Sequence, residues 1–570
     1  MDNNQFQNNS TEPTIKKRRK RSEAWKHFED IGGNIAKCLI CKVIIPINGQ
    51  TNGMLKHIRT EHKDSVNMER NKETICDSAE ELLSLLIIKD GLCLSLLDKP
   101  NFRNFCGKLD PNFTIPSRRK FTSIMLPAIY IDLQNDIFQN MQRTSFMSFT
   151  TDTWTSSSND SYMAITCHYI DDELNFKNFL LSVESFPEKH TALNIYEKFS
   201  QVLEKWNCQD KCVAVVHDSA PNMYKAMNDN FDNNLRCFGH TLQLCVLNSL
   251  KNMGIHTIIL KIRSVVCHFS HSSTASNLLE VFQEKLFLPK HELIQEVITR
   301  WNSTYFMLER FIEQKAAIYA VLVDQNKQSL FVDITEDDIL IISQLIKILK
   351  PYEEATKQIS GENYVSASLI LPIAFQLDKL LQKEQRKTSN HSIIASFLTD
   401  LNFNLQTMKT KYEIRKPLLG KCCFLDPRFK DLKFLSNQDK EDILRHIACE
   451  IEQCETSASS ICQSVNPQTS ILWEDYNGIN VLDDETLRYS QLPTIRLNED
   501  PLIFWNNNRK HFPSLHKLAR KFLCIPGSSA SSERVFSCAG FVADGFRNRL
   551  TRKNVEMLVF LRYNYKRNLK

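Results

Sequence analysis

A chain of 570 residues is several times the size of an ordinary domain, so two to four units are expected. Apolar residues at 42% and charged residues at 24% exclude a chain that is disordered, fibrous or membrane-embedded throughout, and 14 glycines favour helix over turn-rich all-β architecture. The net charge of +5 is unevenly held: residues 1–70 carry +5, residues 544–570 carry +6, and the 473 residues between them sum to −6.

The chain opens with an Asn/Gln-rich stretch, expected to be a disordered arm over residues 1–19. Six consecutive bases follow, Lys16, Lys17, Arg18, Arg19, Lys20 and Arg21. Such a run reads as a nuclear localisation signal or a phosphate-binding arm, with a merely solvated charge run as the plain alternative. Many of the 18 cysteines sit in apolar runs such as Cys212–Val216, where thiols act as small core hydrophobes. No signal peptide opens the sequence, and the apolar stretch Leu82–Leu97 is interrupted by Lys89-Asp90-Gly91. These features predict a soluble intracellular protein located in the nucleus, with no membrane partner and no small-molecule substrate.

Cys38-Leu-Ile-Cys41 is followed by His57 and then His62. Two Cys on a tight turn and two His about one helical turn apart can meet around one tetrahedral Zn²⁺. Thr51 is a plausible N-cap, which places Met54, His57, Ile58 and His62 on one helical face. Trp25 and Phe28 supply the small apolar core such a module needs. A metal-held ββα module usually lays its helix in the DNA major groove, so double-stranded DNA is the expected partner. Asn52, Lys56 and Arg59 fall on or near the helix start and its outer face, where Asn and Arg can read bases and Lys can hold phosphate. With Trp25, His27 and Phe28 ahead of C-x₂-C and H-x₄-H, residues 20–65 resemble a BED zinc finger. That resemblance implies zinc-dependent DNA binding.

Residues 75–140 read as helical, punctuated by Pro100, Pro111 and Pro127. The pattern then changes. Residues 145–154, Tyr162–Tyr169 and Phe176–Val183 read as three short strands. Thr191–Trp206 is an amphipathic helix, Cys212–Val216 a buried strand, Leu235–Phe238 a short strand, and a helix begins near His240. This order is that of a ribonuclease-H-like α/β core. Asp152 would lie on its first strand and Asp218 just past its fourth. These strands are neighbours in the fold, so the two carboxylates could share a metal pair. A strand-ending Asp is also the ordinary cap of the next turn.

Farther on, Thr335–Asp338 reads as a capping box before an apolar helix Ile339–Leu349. Leu278, Phe282 and Leu286 form a helical stripe expected to pack in a core. Residues 455–497, rich in Ser, Thr, Asn and Asp, read as a mobile surface loop.

The block from Leu518 through Pro526-Gly-Ser-Ser-Ala-Ser-Ser-Glu533-Arg-Val-Phe-Ser537, with Arg547-Asn-Arg-Leu550 after it, closely resembles the signature of hAT-superfamily (hobo/Activator-type) transposases. Thr151-Asp152-Thr-Trp154, Asp218-Ser-Ala-Pro-Asn222, Cys237-Phe-Gly-His240 and Arg300-Trp301-Asn-Ser303 match that family's blocks in order. The resemblance implies a catalytic triad of Asp152, Asp218 and Glu533 holding Mg²⁺ or Mn²⁺ for DNA cleavage and strand transfer at terminal inverted repeats. It implies that His240 lies near the cleaved end and that Arg300 and Trp301 bind DNA, the indole stacking on an unpaired base; a core Trp is the alternative. Ser219, where the family commonly has Asn, departs from its pattern.

The architecture so implied is multidomain, α/β plus α. A small ββα finger is followed by a helical linker or intertwining region at 70–143. The first part of the ribonuclease-H-like core covers 144–254, and a large all-helical insertion covers 255–500. Residues 501–570 would form dimerisation helices that complete the core, giving a homodimer or higher oligomer through residues 501–565. The same resemblance leaves a second reading open: a domesticated, transposase-derived transcription regulator that binds DNA and dimerises without cutting.

Overall fold

The computed structural model describes residues 28–32, 35–39, 41–46, 53–54, 56–57, 78–155, 160–361, 364–387, 391–459, 484–542 and 550–565. The basic run 16–21, Asn52, Arg59, His62 and Arg547 lie outside the described residues. The chain divides into two compact units, residues 1–83 and the remainder from Ser84.

In the first unit, β1 (Phe28–Gly32), β2 (Ile35–Cys38) and β3 (Ile44–Pro46) form an antiparallel sheet in that order. The turn after β2 is closed by two backbone bonds, Lys42 N–H to the Cys38 carbonyl (3.0 Å) and Cys38 N–H to the Val43 carbonyl (2.8 Å). Lys42 takes a positive φ of 63° to make it. Gly53, Met54, Lys56 and His57 are helical, and Phe28, Ala36, Cys38 and Met54 are buried.

The second unit is built on a five-stranded mixed sheet with strand order β6-β5-β4-β7-β8. Its strands are β4 (Met147–Thr155), β5 (Ser161–Ile170), β6 (Phe176–Ser185), β7 (Cys212–His217) and β8 (Asn234–Arg236). β4, β5 and β6 pair as an antiparallel meander, whereas β7 lies parallel to β4 and β8 parallel to β7. The parallel steps need crossovers. The first is supplied by the helix Ala192–Lys205, capped by the Thr191 hydroxyl accepting from Asn194 N–H (3.3 Å), and the second by Pro221–Asn228. Phe238, read from the sequence as ending β8, instead begins the helix Phe238–Leu250, because the Cys237 thiol caps it.

A bundle of helices follows, from Met253–His271 to Asn437–Ser459. Its core is continuous with that of the sheet through residues such as Val216, Leu242, Ile259, Phe311 and Leu349. The capping box at Thr335 and Asp338 forms with both bonds present. Its helix runs on to Ile359 with Pro351 inside it. In the stripe Leu278, Phe282 and Leu286, the last residue is exposed, and the deeper face of Ser273–Lys285 is Ala275, Leu279 and Gln283. Among the described residues, no helix is long and apolar enough to cross a membrane.

The expected mobile loop at 455–497 needs correction over its second part. Residues Asp484–Gln491 are helical and Tyr489 is fully buried, its ring among those of Phe424, Trp505 and Phe512. The Glu485 carboxylate accepts from the N–H groups of Ser514 (3.2 Å) and Leu515 (2.8 Å), capping the helix Pro513–Leu523. One aromatic anchor and one long-range cap thus hold a segment whose local composition is that of a loop. Residues 460–483 lie outside the described residues.

The terminal helix Arg552–Tyr565 packs on β6, the edge strand of the sheet, with residues 557–564 buried. The Asn564 side-chain amide donates to the Leu180 carbonyl (2.9 Å), and its oxygen accepts from Leu180 N–H (2.9 Å). This pair occupies an edge backbone that would otherwise stay open. The C-terminal region therefore covers its own sheet within a single chain.

Candidate functional site

In the N-terminal unit, Cys38 Sγ, Cys41 Sγ and a His57 ring nitrogen lie within 4.8 Å of one another. Cys41 Sγ stands 3.2 Å from His57 Nε2, and Phe28 meets the His57 ring edge-on at 5.8 Å. Two thiols and an imidazole converging on one point are the donor set of a structural zinc site. The hairpin turn sets the cysteines and the helix sets the histidine. The fourth predicted ligand, His62, lies outside the described residues. Lys56 is exposed on the same helical segment.

In the second unit, register brings the first two acids to one sheet edge. Thr151 on β4 pairs with His217, the last residue of β7, so Asp152 and Asp218 are the next residues of adjacent parallel strands. Asp152 Oδ1 accepts from Thr153 N–H (2.8 Å), and Asp218 Oδ1 accepts from Ala220 N–H (3.2 Å). Buried His217 holds its Nδ1 2.6 Å from the Asp218 carbonyl oxygen, and burial lowers its pKa to about 4. A neutral imidazole there donates to that carbonyl and fixes the backbone at Asp218.

Glu533 arrives from the far end of the chain, exposed in the first turn of the helix Ala530–Val542. Ser532 Oγ lies 2.7 Å from Thr150 Oγ1, which is 2.5 Å from Thr166 Oγ1, and that oxygen is 2.9 Å from His168 Nε2. This buried polar chain fastens the residue before Glu533 to the strand carrying Asp152. The loop leading in is equally fixed. Cys237 Sγ accepts from both His240 N–H (3.4 Å) and Ser529 N–H (3.2 Å), and Phe238 N–H donates to the Gly527 carbonyl (3.0 Å). At Gly527 a Cβ would stand 2.5 Å from Ile359 Cδ1 and 2.8 Å from the Ser366 carbonyl oxygen, so no larger residue fits this crossing.

The electrostatics record the convergence. Burial first, then the charges of Asp218 and Glu533, hold the Asp152 carboxyl well above the usual carboxylate range. Asp218 is also raised by burial, with the Ala220 N–H and His240 opposing. Three hard oxygen donors that repel one another suit a divalent cation such as Mg²⁺ or Mn²⁺. Among the described residues, only the Cys38, Cys41 and His57 trio closes to 4.8 Å, so the three acids stand more widely than that.

Four family models match the chain in order. They are the BED zinc finger over residues 22–63, the ZBED1 RNase-like domain over 150–240, the ZBED1 RNase-like helical domain over 235–347, and the hAT family C-terminal dimerisation region over 485–565. The chain is a hAT-family BED zinc-finger protein. Its relatives include human zinc finger BED domain-containing protein 4, 24% identical over 96% of this chain and 52% of its own length. The putative AC transposase of Zea mays is 26% identical over 89% of this chain and 70% of its own. Zinc finger BED domain-containing protein RICESLEEPER 2 of Oryza sativa subsp. japonica is 23% identical over 96% and 89%. The chain spans about half the length of the human relative.

The other predicted DNA contacts of this hAT chain divide into two kinds. His240, in the first turn of Phe238–Leu250, faces Asp218 electrostatically. Three residues farther along that helix, Gln243 donates to the Thr299 carbonyl (2.8 Å), which places exposed Arg300 beside the same helix. Trp301 is different. Its indole is fully buried and meets Tyr305 edge-on at 6.3 Å, so in this structure it is a core residue with no face for a base. Trp301→Ala is therefore expected to cost about 3–5 kcal/mol of core stability. Calorimetry checks this; an unchanged melting midpoint would leave DNA stacking as its only role.

Sequence reasoning missed Thr150, Ser532 and Gln243, whose roles are purely tertiary. It also missed the stack of Trp154 on Tyr162 (centroids 4.9 Å apart) and Phe536 (4.3 Å). Its signal was available in part: Trp154 is two residues beyond Asp152 on a strand, and Phe536 three beyond Glu533 on a helix, so each shares a face with an acid.

Proposed function

We propose that this chain binds DNA through its finger and basic ends and cuts and joins DNA at terminal inverted repeats, as a hAT-type transposase. The carrying observation is the Thr150–Ser532 hydrogen bond, which brings Glu533 from a distant block to the strand of Asp152, where burial and then the charges of Asp218 and Glu533 raise the Asp152 pKa. Asp152, Asp218 and Glu533 would hold Mg²⁺ or Mn²⁺, which supply the charge neutralisation that phosphoryl transfer needs. Asp152 is oriented by Thr153 N–H, Asp218 by Ala220 N–H and the His217–carbonyl contact, and Glu533 by its helix. Arg300 supplies positive charge beside the helix Phe238–Leu250 for the DNA end, and His240, at the start of that helix, lies near Asp218. The unpaired Trp301 indole N–H lowers the cost of drawing that ring out onto a base. Zinc held by Cys38, Cys41, His57 and His62 would set the finger, the basic run 16–21 would direct the protein to the nucleus, and residues 501–565 would support a homodimer.

A second reading is a domesticated regulator that binds DNA and dimerises without cutting. One relative, of Talaromyces stipitatus, is named putative transcriptional regulator tpeD. One assay separates the two. The purified protein with Mn²⁺ and a duplex carrying the terminal repeat that flanks its gene is expected to nick that duplex, and Asp152→Ala is expected to be inert. Equal inertness of both proteins, with DNA binding intact, establishes the regulator instead.

A further inference from the structure

The helical part carries a groove of about 850 Å³, open to solvent, that the proposed chemistry does not use. It runs along the C-terminal half of the helix Met253–His271 and faces the turn before the short helix Ser329–Val332. Four lining residues are basic or can become so: Arg263, His268, His271 and Lys327. None of its described lining residues is acidic, although the 473 residues between the chain's two basic ends sum to −6. The described lining thus carries one sign of charge, and a cleft lined by one sign concentrates its counter-ion.

The cations are built in to different degrees. Arg263 Nε donates to Glu296 Oε2 at 2.6 Å, and the other oxygen of that buried carboxylate accepts from Thr304 Oγ1 at 2.7 Å. The guanidinium is therefore fixed, with part of its charge offset from behind. His268 Nε2 lies 3.0 Å from Gln325 Oε1, which fixes that ring, whereas His271 and Lys327 are exposed at the groove wall. Hydroxyls of Ser264 and Ser329 stand beside them, and Leu260 and Leu330 give an apolar surface. Fixed guanidinium, exposed ammonium and hydroxyl donors are the groups that hold phosphate oxygens, and an apolar strip suits a sugar face.

We propose that this groove is a phosphate-binding site on the helical part, and that its ligand is the sugar–phosphate backbone of DNA lying beyond the catalytic acids. Its open side favours a passing strand over an enclosed small molecule. The proposal rests on the reading of the chain as a DNA-binding protein, and the test keeps the two apart.

The full-length protein is titrated with a 40-base-pair duplex over a salt series, alongside Lys327→Ala/His271→Ala and Ser329→Asp. Lys347→Ala, an exposed lysine on the helix Glu336–Ile359 outside the groove, serves as control. At low salt both groove variants are expected to bind about 3–10-fold more weakly. The slope of log K against log salt should become shallower by about 1 for the double variant, the share of one phosphate contact. Circular dichroism should show both folded as wild type. An equal loss in Lys347→Ala overturns the proposal, because the effect is then general charge. Groove variants that bind DNA as wild type does overturn the DNA ligand. In that case a calorimetric titration with inorganic pyrophosphate decides the rest: heat lost in the double variant keeps a phosphate site for a small ligand, and no heat in wild type removes the site altogether. A wild-type protein that binds no duplex fails the function reading itself.

Discussion

Asp152→Asn is expected to make the metal-free protein more stable while removing metal-dependent cleavage. The side chain is buried, and the Thr153 N–H bond to Oδ1 survives the change to an amide. What disappears is a negative charge in a low-dielectric site that already faces Asp218 and Glu533. Relieving that repulsion should add roughly 0.5–2 kcal/mol, the usual scale when a functional site is relaxed. The pH dependence gives an independent sign. A carboxyl held above its ordinary value binds its proton more tightly folded than unfolded, so wild-type stability falls as pH rises through and above the usual carboxylate range. The variant lacks that decline, and the two curves should converge in acid. Cleavage in Mn²⁺ should drop at least about a hundredfold, the scale of losing one electrostatic group from such a site. Denaturant titrations at several pH values with EDTA present check the stability arm. A variant less stable than wild type at neutral pH would show that Asp152 has a structural partner instead of repelling neighbours.

Cys41→Ser should have the larger effect on DNA binding. The described part of the finger buries little beyond Phe28, Ala36, Cys38 and Met54, too small a core to offset chain entropy alone. Structural zinc in such peptides contributes about 10–16 kcal/mol, so a module of this size folds only with its metal. Loss of one thiolate from the Cys38–Cys41–His57 cluster should release the ion and unfold the unit. Binding to the preferred sequence should then fall to the non-specific level, a loss of about a thousandfold or more. Because the chain forms two compact units, the melting of the larger one and its oligomeric state should not change. Atomic absorption, gel shifts and sedimentation on the same preparation test this. A changed sedimentation coefficient would mean that the finger contributes to assembly.

Legibility of the fold followed how local each signal is. The five strands were readable because β-branched and aromatic runs such as Cys212–Val216, within the six-residue strand Cys212–His217, announce themselves locally. The zinc cluster was readable because its ligands lie within one short module. The helix at Asp484–Gln491 was not, since a polar eight-residue stretch gives no periodicity, and its order comes from Tyr489 and Glu485 meeting residues outside the helix such as Phe512 and Ser514. Trp301 separates the two readings of its motif: the resemblance implied a base-stacking indole, the alternative was a core Trp, and in this structure the ring packs inside. A short motif states which residue is present and is silent about which way the helix turns it.

The sequence by itself determined the order of modules, the Cys38, Cys41 and His57 donor set of the finger, and the placement of positive charge at the two ends. Each is a property of residue type and spacing. Tertiary structure alone decided three further things. The Thr150–Ser532 bond and the Gly527 crossing bring Glu533 to Asp152, because hydrogen bonding and close packing between segments hundreds of residues apart have no local trace. The terminal helix spends its apolar face and Asn564 on the edge strand β6 of its own chain. And the net +5 of the whole chain resolves further than its two ends: inside the acidic body, folding gathers Arg263, His268, His271 and Lys327 along one groove, a grouping set by the packing of helices and invisible to a sum along the chain.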